Sequence, residues 1–428
     1  MSGGAAARRA TTPALDATRG AGEGVGVWLA GARAAVPPGP QPLVLHVFPS
    51  FAVGGAQVRT CAVANRFGAR WRHAVVALDG RHDCAARLAP GVPVALLGPP
   101  PRRPGPVAPL ARLAAIRAAL RALRPDVLVT SNWGSVEWVA ANRPGPLAPA
   151  LVARHVHTED GFGPDETAGA QHLRRVLARR LLLRRSTVVL PSRVLLGVAR
   201  GAWALPPARL RHVPNGLDLA RFRPRAAGEA PDPALGPPGD GLLVGTVAAL
   251  RPEKNLARLL RAFALLRGEG AAARLVVVGD GPERGRLEAL AADLGLLGGG
   301  AAPSVRFAGA LADPAAAYRA MDAFALSSDT EQMPFSVLEA MASGLAVAST
   351  DVGDVGAMLS ETNRPHLAAA DADGAGLAAA LRPLLADAGL RARLGAANRA
   401  RAEGEYDQEA MFAAHAALLD GGGPSARA

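Results

Sequence analysis

The apolar positions of this chain fall into two alternating series. The first begins with LVLHVF at Leu43–Phe48, apolar at nearly every position, as a strand buried on both faces must be. A Gly54-Gly55 turn follows, then helical spacing over 56–66. HAVVALD and PVALLG read as further strands, and the Pro-rich run GPPPRRPGP interrupts the pattern. PLARLAAIRAALRAL spaces its apolar residues as a helix does; DVLVTSNW and ALVARHVHTED return to strand. An arginine-rich helical stretch leads into STVVLPS, and RLRHVPNGLD closes the series. RPRAAGEAPDPALGPPGDG is a linker by its proline, glycine and acid content. A second series then runs through LLVGTVAAL, RLVVVGD, SVRFAGA, AFALSS and LAVAST, with helical stretches between them and after the last.

Strands alternating with helices imply parallel sheets covered on both faces. Two such series predict an α/β chain of two doubly wound, Rossmann-like domains facing a central cleft. A length of 428 residues suits two cores better than one. The expected divisions are a disordered extension over 1–40, a first domain over 41–215, a linker over 216–240 and a second domain over 241–400. A helix over 401–420 is expected to return to the first domain, with a tail at 421–428.

Composition narrows the class. Two cysteines, Cys61 and Cys84, give neither a disulfide framework nor a metal-ligand spacing, so a reducing, cytoplasmic setting is expected. No long charge-free apolar run suggests a membrane span. The net charge is +12, with thirteen arginines between Arg174 and Arg225 against one acid, Asp218. That stretch reads as a solvated helix face or as a surface that meets anionic lipid at the inner side of a membrane. It lacks the interleaved aromatics that stack on bases, which counts against nucleic acid.

The chemistry concentrates in DTEQMPFSVLEAMASGLAVASTDVG. Pro334 and Ser336 mark a helix start, with Glu331 in the loop before it and Glu339 one turn inside. Two carboxylates that accept hydroxyls, beside the amides of Phe335, Ser336 and Val337 at a positive helix end, suit a sugar and a ribose joined by a diphosphate. Lys254 is the one lysine among 48 basic residues. It lies at the carboxyl end of a strand, where open α/β sheets bind ligands, and an ammonium group is a compact charge for phosphate. Gly54-Gly55 would admit an anion to a helix amino end or make a plain tight turn. Gly279, Asp280, Gly281 and Pro282 fit a structural turn. Ser131, Asn132 and Trp133 end a strand that could line the cleft. His155 and His157 share one strand face beside Glu159 and Asp160; a polar or acid/base contact, a structural role and, with less support, a metal site are all open to them.

In this order the blocks VGGAQVRT, HVPNGLDLARFRP, GTVAALRPEKNLARLLRAF, VVVGDGPERGRLE and TEQMPFSVLEAMASGLAVASTDVG resemble the retaining glycosyltransferases of family 4, of GT-B fold, over about residues 43–419. The resemblance implies that Glu331 binds hydroxyls of the donor sugar and Glu339 the nucleotide ribose. It further implies that Lys254 binds the diphosphate and that Gly54-Gly55 approach the donor phosphates. His157, with His155 and Asp160 as alternatives, would contact the donor sugar. The donor would be a nucleoside-diphosphate sugar and the acceptor a sugar or a lipid-linked sugar, in envelope or exopolysaccharide synthesis, with no bound metal. Ala249 stands where the family usually has arginine, and Arg251 is the residue placed to substitute. Gln332 and Ala346 replace a usual glycine and proline. An epimerase or phosphorylase on the same fold, or a silent nucleotide-sugar-binding protein, are the competing expectations.

Overall fold

A computed structural model describes residues 24–101, 108–143, 145, 149–162, 166–229, 241–298 and 303–421. The expected extension before residue 24, the last part of the linker (230–240) and the tail after 421 lie outside the described residues. The first unit contains α1 (Val25–Ala35), β1 (Leu43–Phe48), α2 (Gly55–Phe67), β2 (Arg72–Ala77) and β3 (Val94–Leu97). It continues through α3 (Ala108–Leu123), β4 (Val127–Ser131), α4 (Val136–Asn142) and β5 (Arg154–Thr158). It ends with α5 (Leu173–Leu182), β6 (Thr187–Leu190), α6 (Arg193–Arg200) and β7 (Leu210–His212).

The second unit opens with β8 (Leu242–Val247), α7 (Leu256–Gly268), β9 (Ala273–Val278), α8 (Arg284–Asp293) and β10 (Val305–Gly309). Next come α9 (Ala315–Ala320), β11 (Ala323–Leu326), α10 (Phe335–Ala342), β12 (Ala346–Thr350) and α11 (Val355–Met358). β13 (Leu367–Ala368), α12 (Gly374–Ala386), α13 (Ala388–Glu405) and α14 (Gln408–Asp420) complete the described chain.

Every named strand pairing is parallel. The sheet orders are β3-β2-β1-β4-β5-β6-β7 and β10-β9-β8-β11-β12-β13. Both sheets therefore reverse direction of growth at one place, between β1 and β4 and between β8 and β11. Ligand crevices in such sheets open at the carboxyl ends of the strands beside that reversal. Gly54-Gly55 follow β1, Asn132 follows β4, Lys254 follows β8 and Glu331 follows β11. The prospective site thus draws on both reversals.

Residues 25–35, assigned to a disordered extension by their composition, instead form α1. Ala32 is fully buried against the first core, and Arg33 Nε donates to the Ala122 carbonyl at 2.9 Å. The apolar VGVWLA segment supplies a buried face that the surrounding Ala, Gly and Arg content obscures. Helix α13 packs on α10 in the second unit. Helix α14 lies on the first, where Met411, Phe412 and Leu419 join a core with Val44, Val129 and Trp71. Trp71 Nε1 donates to Asp420 Oδ1 at 3.1 Å. The chain crosses between units beside Leu217 and again beside Asp407. Those crossings bond to each other, Leu217 N to Tyr406 O at 2.8 Å and Gln408 N to Leu217 O at 3.1 Å.

Candidate functional site

The loop after β11 carries Glu331 and is gripped from several sides. Arg258 Nη1 donates to the Ser327 carbonyl at 2.9 Å, and its Nη2 pairs with Asp329 at 2.8 Å. Thr350 Oγ1 donates to Ser328 O at 2.7 Å. Gly353 has φ +58, and a Cβ there would lie 2.4 Å from the Glu331 carbonyl oxygen, so only glycine fits. So held, Glu331 Oε1 accepts from Lys254 Nζ at 2.6 Å and from Ser328 Oγ at 2.7 Å. Both Lys254 and Glu331 keep a solvent edge.

Eight residues on, Glu339 sits in the second turn of α10 and accepts from Tyr318 Oη at 2.7 Å. Burial raises its pKa from 4.5 to about 7, with the Tyr318 hydrogen bond acting in the opposite direction. Tyr318 itself is buried against Phe222 and Phe324. Pro334 begins α10, and the first intrahelical bond is Val337 N to Pro334 O at 3.2 Å. The amides of Phe335 and Ser336 precede that bond and point out of the helix end, as helix geometry requires.

The first unit supplies the facing wall. A Cβ on Gly55 would lie 3.0 Å from the Phe335 ring, and one on Gly161 would lie 3.5 Å from Gln332. The segment that carries Glu331 therefore runs along the gap between units. Gly54 is the extended residue before α2. A cavity of about 510 Å³ opens beside Gly55, Asn132, Trp133, Asp160, Phe162 and Arg175. Asp160 Oδ1 pairs with Arg59 at 2.6 Å, while its Oδ2 has no hydrogen-bond partner. Asn132, at φ 56, accepts from the Asp160 amide at 2.8 Å. Arg59 also donates to Asn215 Oδ1 at 2.7 Å, and Asn215 Nδ2 donates to Met333 O at 3.1 Å. One buried arginine thus links the cleft acid to the loop of the opposite unit.

Two sequence expectations need correction. His157 is buried, not in the cleft: its Nδ1 meets Thr130 Oγ1 at 2.8 Å and its Nε2 meets Glu159 Oε2 at 3.0 Å. His155 shares the same Thr130 hydroxyl and bonds Ser186. Both histidines lie in the body of β5, on the face packed beneath the crevice. Glu159 continues that network to Arg179 at 3.0 Å; burial raises its pKa, but His157 and Arg179 outweigh this and the net shift is downward. Asp160, two residues past the strand, is the residue of the three at the cleft. Arg251 is the second correction. It is largely exposed, has a distant pairing of 3.9 Å with Glu253, and is not brought to the Lys254–Glu331 pair. Its position before the Pro252–Lys254 turn directs it outward, whereas Lys254 lies at the turn's end.

Arg59, Asn215, Tyr318 and Asp354 were not singled out from sequence. Asp354 follows Gly353 and reaches across the gap, accepting from Arg193 N at 2.5 Å and Val194 N at 2.9 Å. It thereby caps α6 from the other unit. The only sequence sign of these four was membership of the VGGAQVRT block for Arg59 and of the junction block for Asn215. Among the described residues, no group of three His, Cys, Asp or Glu is arranged to hold a metal ion.

This geometry defines a cleft between two doubly wound α/β lobes, and comparison with known proteins assigns the family. Residues 54–216 match the glycosyl transferase 4-like domain and residues 241–387 the glycosyl transferases group 1. A D-inositol 3-phosphate glycosyltransferase of Acidothermus cellulolyticus is 32% identical over 80% of each chain. A GDP-mannose-dependent alpha-mannosyltransferase of Mycobacterium tuberculosis is 31% identical over 64% of each chain, so this chain spans less than two thirds of that relative. Anabaena HepE in complex with UDP and glucose superposes with TM-score 0.68 at 17% identity, over 89% of this chain and 100% of that one, a likeness of fold. The chain belongs to the family 4 glycosyltransferases, with the GT-B fold.

Proposed function

We propose that this protein moves a sugar from a nucleoside-diphosphate sugar to a hydroxyl acceptor, with retention of anomeric configuration. The observation that carries the reading is the 2.6 Å Lys254–Glu331 pair in the gap between units, with Glu339 further along the same loop and helix. Glu331 would accept hydroxyls of the donor sugar and Glu339 the ribose diol. Lys254 and the amides of Phe335 and Ser336 would take up charge as the nucleoside diphosphate departs; the Val337 amide, expected to join them, bonds Pro334 O instead. Gly54 and Gly55 would let the first unit's backbone come close to those phosphates. Asp160 takes the sugar-contacting part expected of His157, because the residue lines the cavity and its buried Oδ2 has no hydrogen-bond partner. The acceptor hydroxyl would attack the face the diphosphate leaves, giving its proton to the departing phosphate. Envelope or exopolysaccharide synthesis fits the relatives, among them a Rhizobium meliloti lipopolysaccharide core glycosyltransferase.

The test is a thermal-shift panel of UDP-, GDP- and ADP-sugars, since a bound donor stabilises the fold by mass action. Proton NMR of the product made from the stabilising donor would then report its anomeric configuration. Retention supports the proposal. No shift with any donor, or conversion of the donor's sugar without acceptor, would overturn it.

A further inference from the structure

Helix α5 buries an arginine and exposes three leucines. Its inward side holds a buried arginine beside Val176 and Leu182: Arg179 is 1% exposed, paired with Glu159 and stacked over Trp133 and Trp203. Its outer side is apolar: Leu173 is 71% exposed, Leu177 46% and Leu181 76%. These leucines recur every four residues and so form one stripe. Arg174, Arg180 and Arg184 are exposed on the same side. No acid occurs in the sequence between residues 167 and 217 to neutralise them. Arg143, Arg185 and Arg209 continue the positive surface; the Arg143 pKa is lowered by burial and then by repulsion from Arg185 and Arg209. Two arginines of the cluster do not contribute. Arg221 and Arg223 pair with Asp313 and Glu229 near the second unit.

We infer that the Leu173–Leu177–Leu181 stripe and the arginines around it form a docking surface for an anionic lipid bilayer. Leucines of this kind enter the acyl boundary while guanidinium groups meet the headgroups. A second copy of the chain is a poorer occupant. A symmetric contact would set the stripe against itself and bring like-charged arginines together. Three leucines also fall short of the area a stable dimer buries. The opposite side of α5 presents Arg175 to the cleft cavity beside Trp133. The same helix therefore stands between a bilayer and the acceptor side of the cleft. Resting on the transferase reading, this assigns the acceptor to the amphiphilic, lipid-anchored class.

The experiment is flotation of the full chain with vesicles of phosphatidylglycerol or phosphatidylcholine. Wild type should float with the anionic vesicles only, and less so as salt is raised. The double variants L177D/L181D and R180E/R184E should each weaken binding by about tenfold or more, with unchanged circular-dichroism melting and unchanged donor thermal shift. Equal binding to both vesicle types overturns the inference, as does wild-type binding by either folded variant. So does a wild-type dimer that L177D/L181D dissociates. Flotation needs no donor, so its failure stays distinct from failure of the transferase reading.

Discussion

Lys254 Nζ and Ser328 Oγ converge on one oxygen of Glu331, at 2.6 and 2.7 Å. The cation proposed for phosphate and the acid proposed for the sugar are thus one electrostatic unit. A donor that bridges them must insert its sugar and its diphosphate at neighbouring points, which sets the reacting carbon beside the leaving group.

Replacing Lys254 by alanine should lower turnover by about two to three powers of ten, the range for losing one contact to a developing oxyanion. Glu331→Ala should abolish transfer while leaving affinity for the free nucleoside diphosphate largely intact. Steady-state kinetics with calorimetry on the nucleotide separate the two. Full activity in Lys254→Ala would remove the lysine from the mechanism.

Glu339 makes donor affinity depend on pH. With a pKa of about 7, its carboxylate fraction rises from about one tenth at pH 6 to about nine tenths at pH 8, so affinity should rise about tenfold. Glu339→Gln should flatten that rise. Tyr318→Phe removes a donor to the carboxylate and should move the midpoint upward. Stability runs the other way. The raised folded pKa contributes stability present below pH 4.5, where Glu339 is protonated in both states, and lost as pH rises through about 7. Melting curves across that window should show the fall in wild type and a smaller fall in Glu339→Gln.

His157 and Asp160 should separate by readout. His157→Ala breaks a buried network and should cost about 1–3 kcal/mol in unfolding free energy, with kcat little changed per folded molecule. Asp160→Asn keeps the shape but neutralises the partner of buried Arg59, so it should lower melting and also lower kcat/KM per folded molecule. The reverse pattern would return the sugar contact to the histidine.

Asp354→Ala removes a cap shared between units and should destabilise by about 1–2 kcal/mol. Denaturant titration measures this. Because Asp354 N also bonds Gln332 O at 2.8 Å, a second effect on KM for the donor is expected through the Glu331 loop.

The alternation of strands and helices was legible along the chain because both sheets are parallel and buried on both faces. Lys254, Glu331 and Glu339 were legible because each sits in or beside a short loop at a strand end. His157 misled for a physical reason. Period-two alternation pairs it with His155 but does not say which face is packed against helices. Arg59 to Asn215 spans 156 residues of sequence and Arg193 to Asp354 spans 161, so no local pattern reports those contacts. Helix α5 is the sharpest case. Its sequence allowed a solvated face or a lipid-facing surface, and nothing local reported that Glu159, Trp133 and Trp203 hold Arg179 on the inner side.

The return of α14 to the first unit bears on how the molecule is made. Val44 and Val129 share their core with Met411 and Phe412. During synthesis the lobe begun first must therefore wait, with part of its interior open to water, until the other lobe has left the ribosome. Premature termination anywhere within the second lobe should yield a sticky, chaperone-bound fragment rather than a freestanding domain.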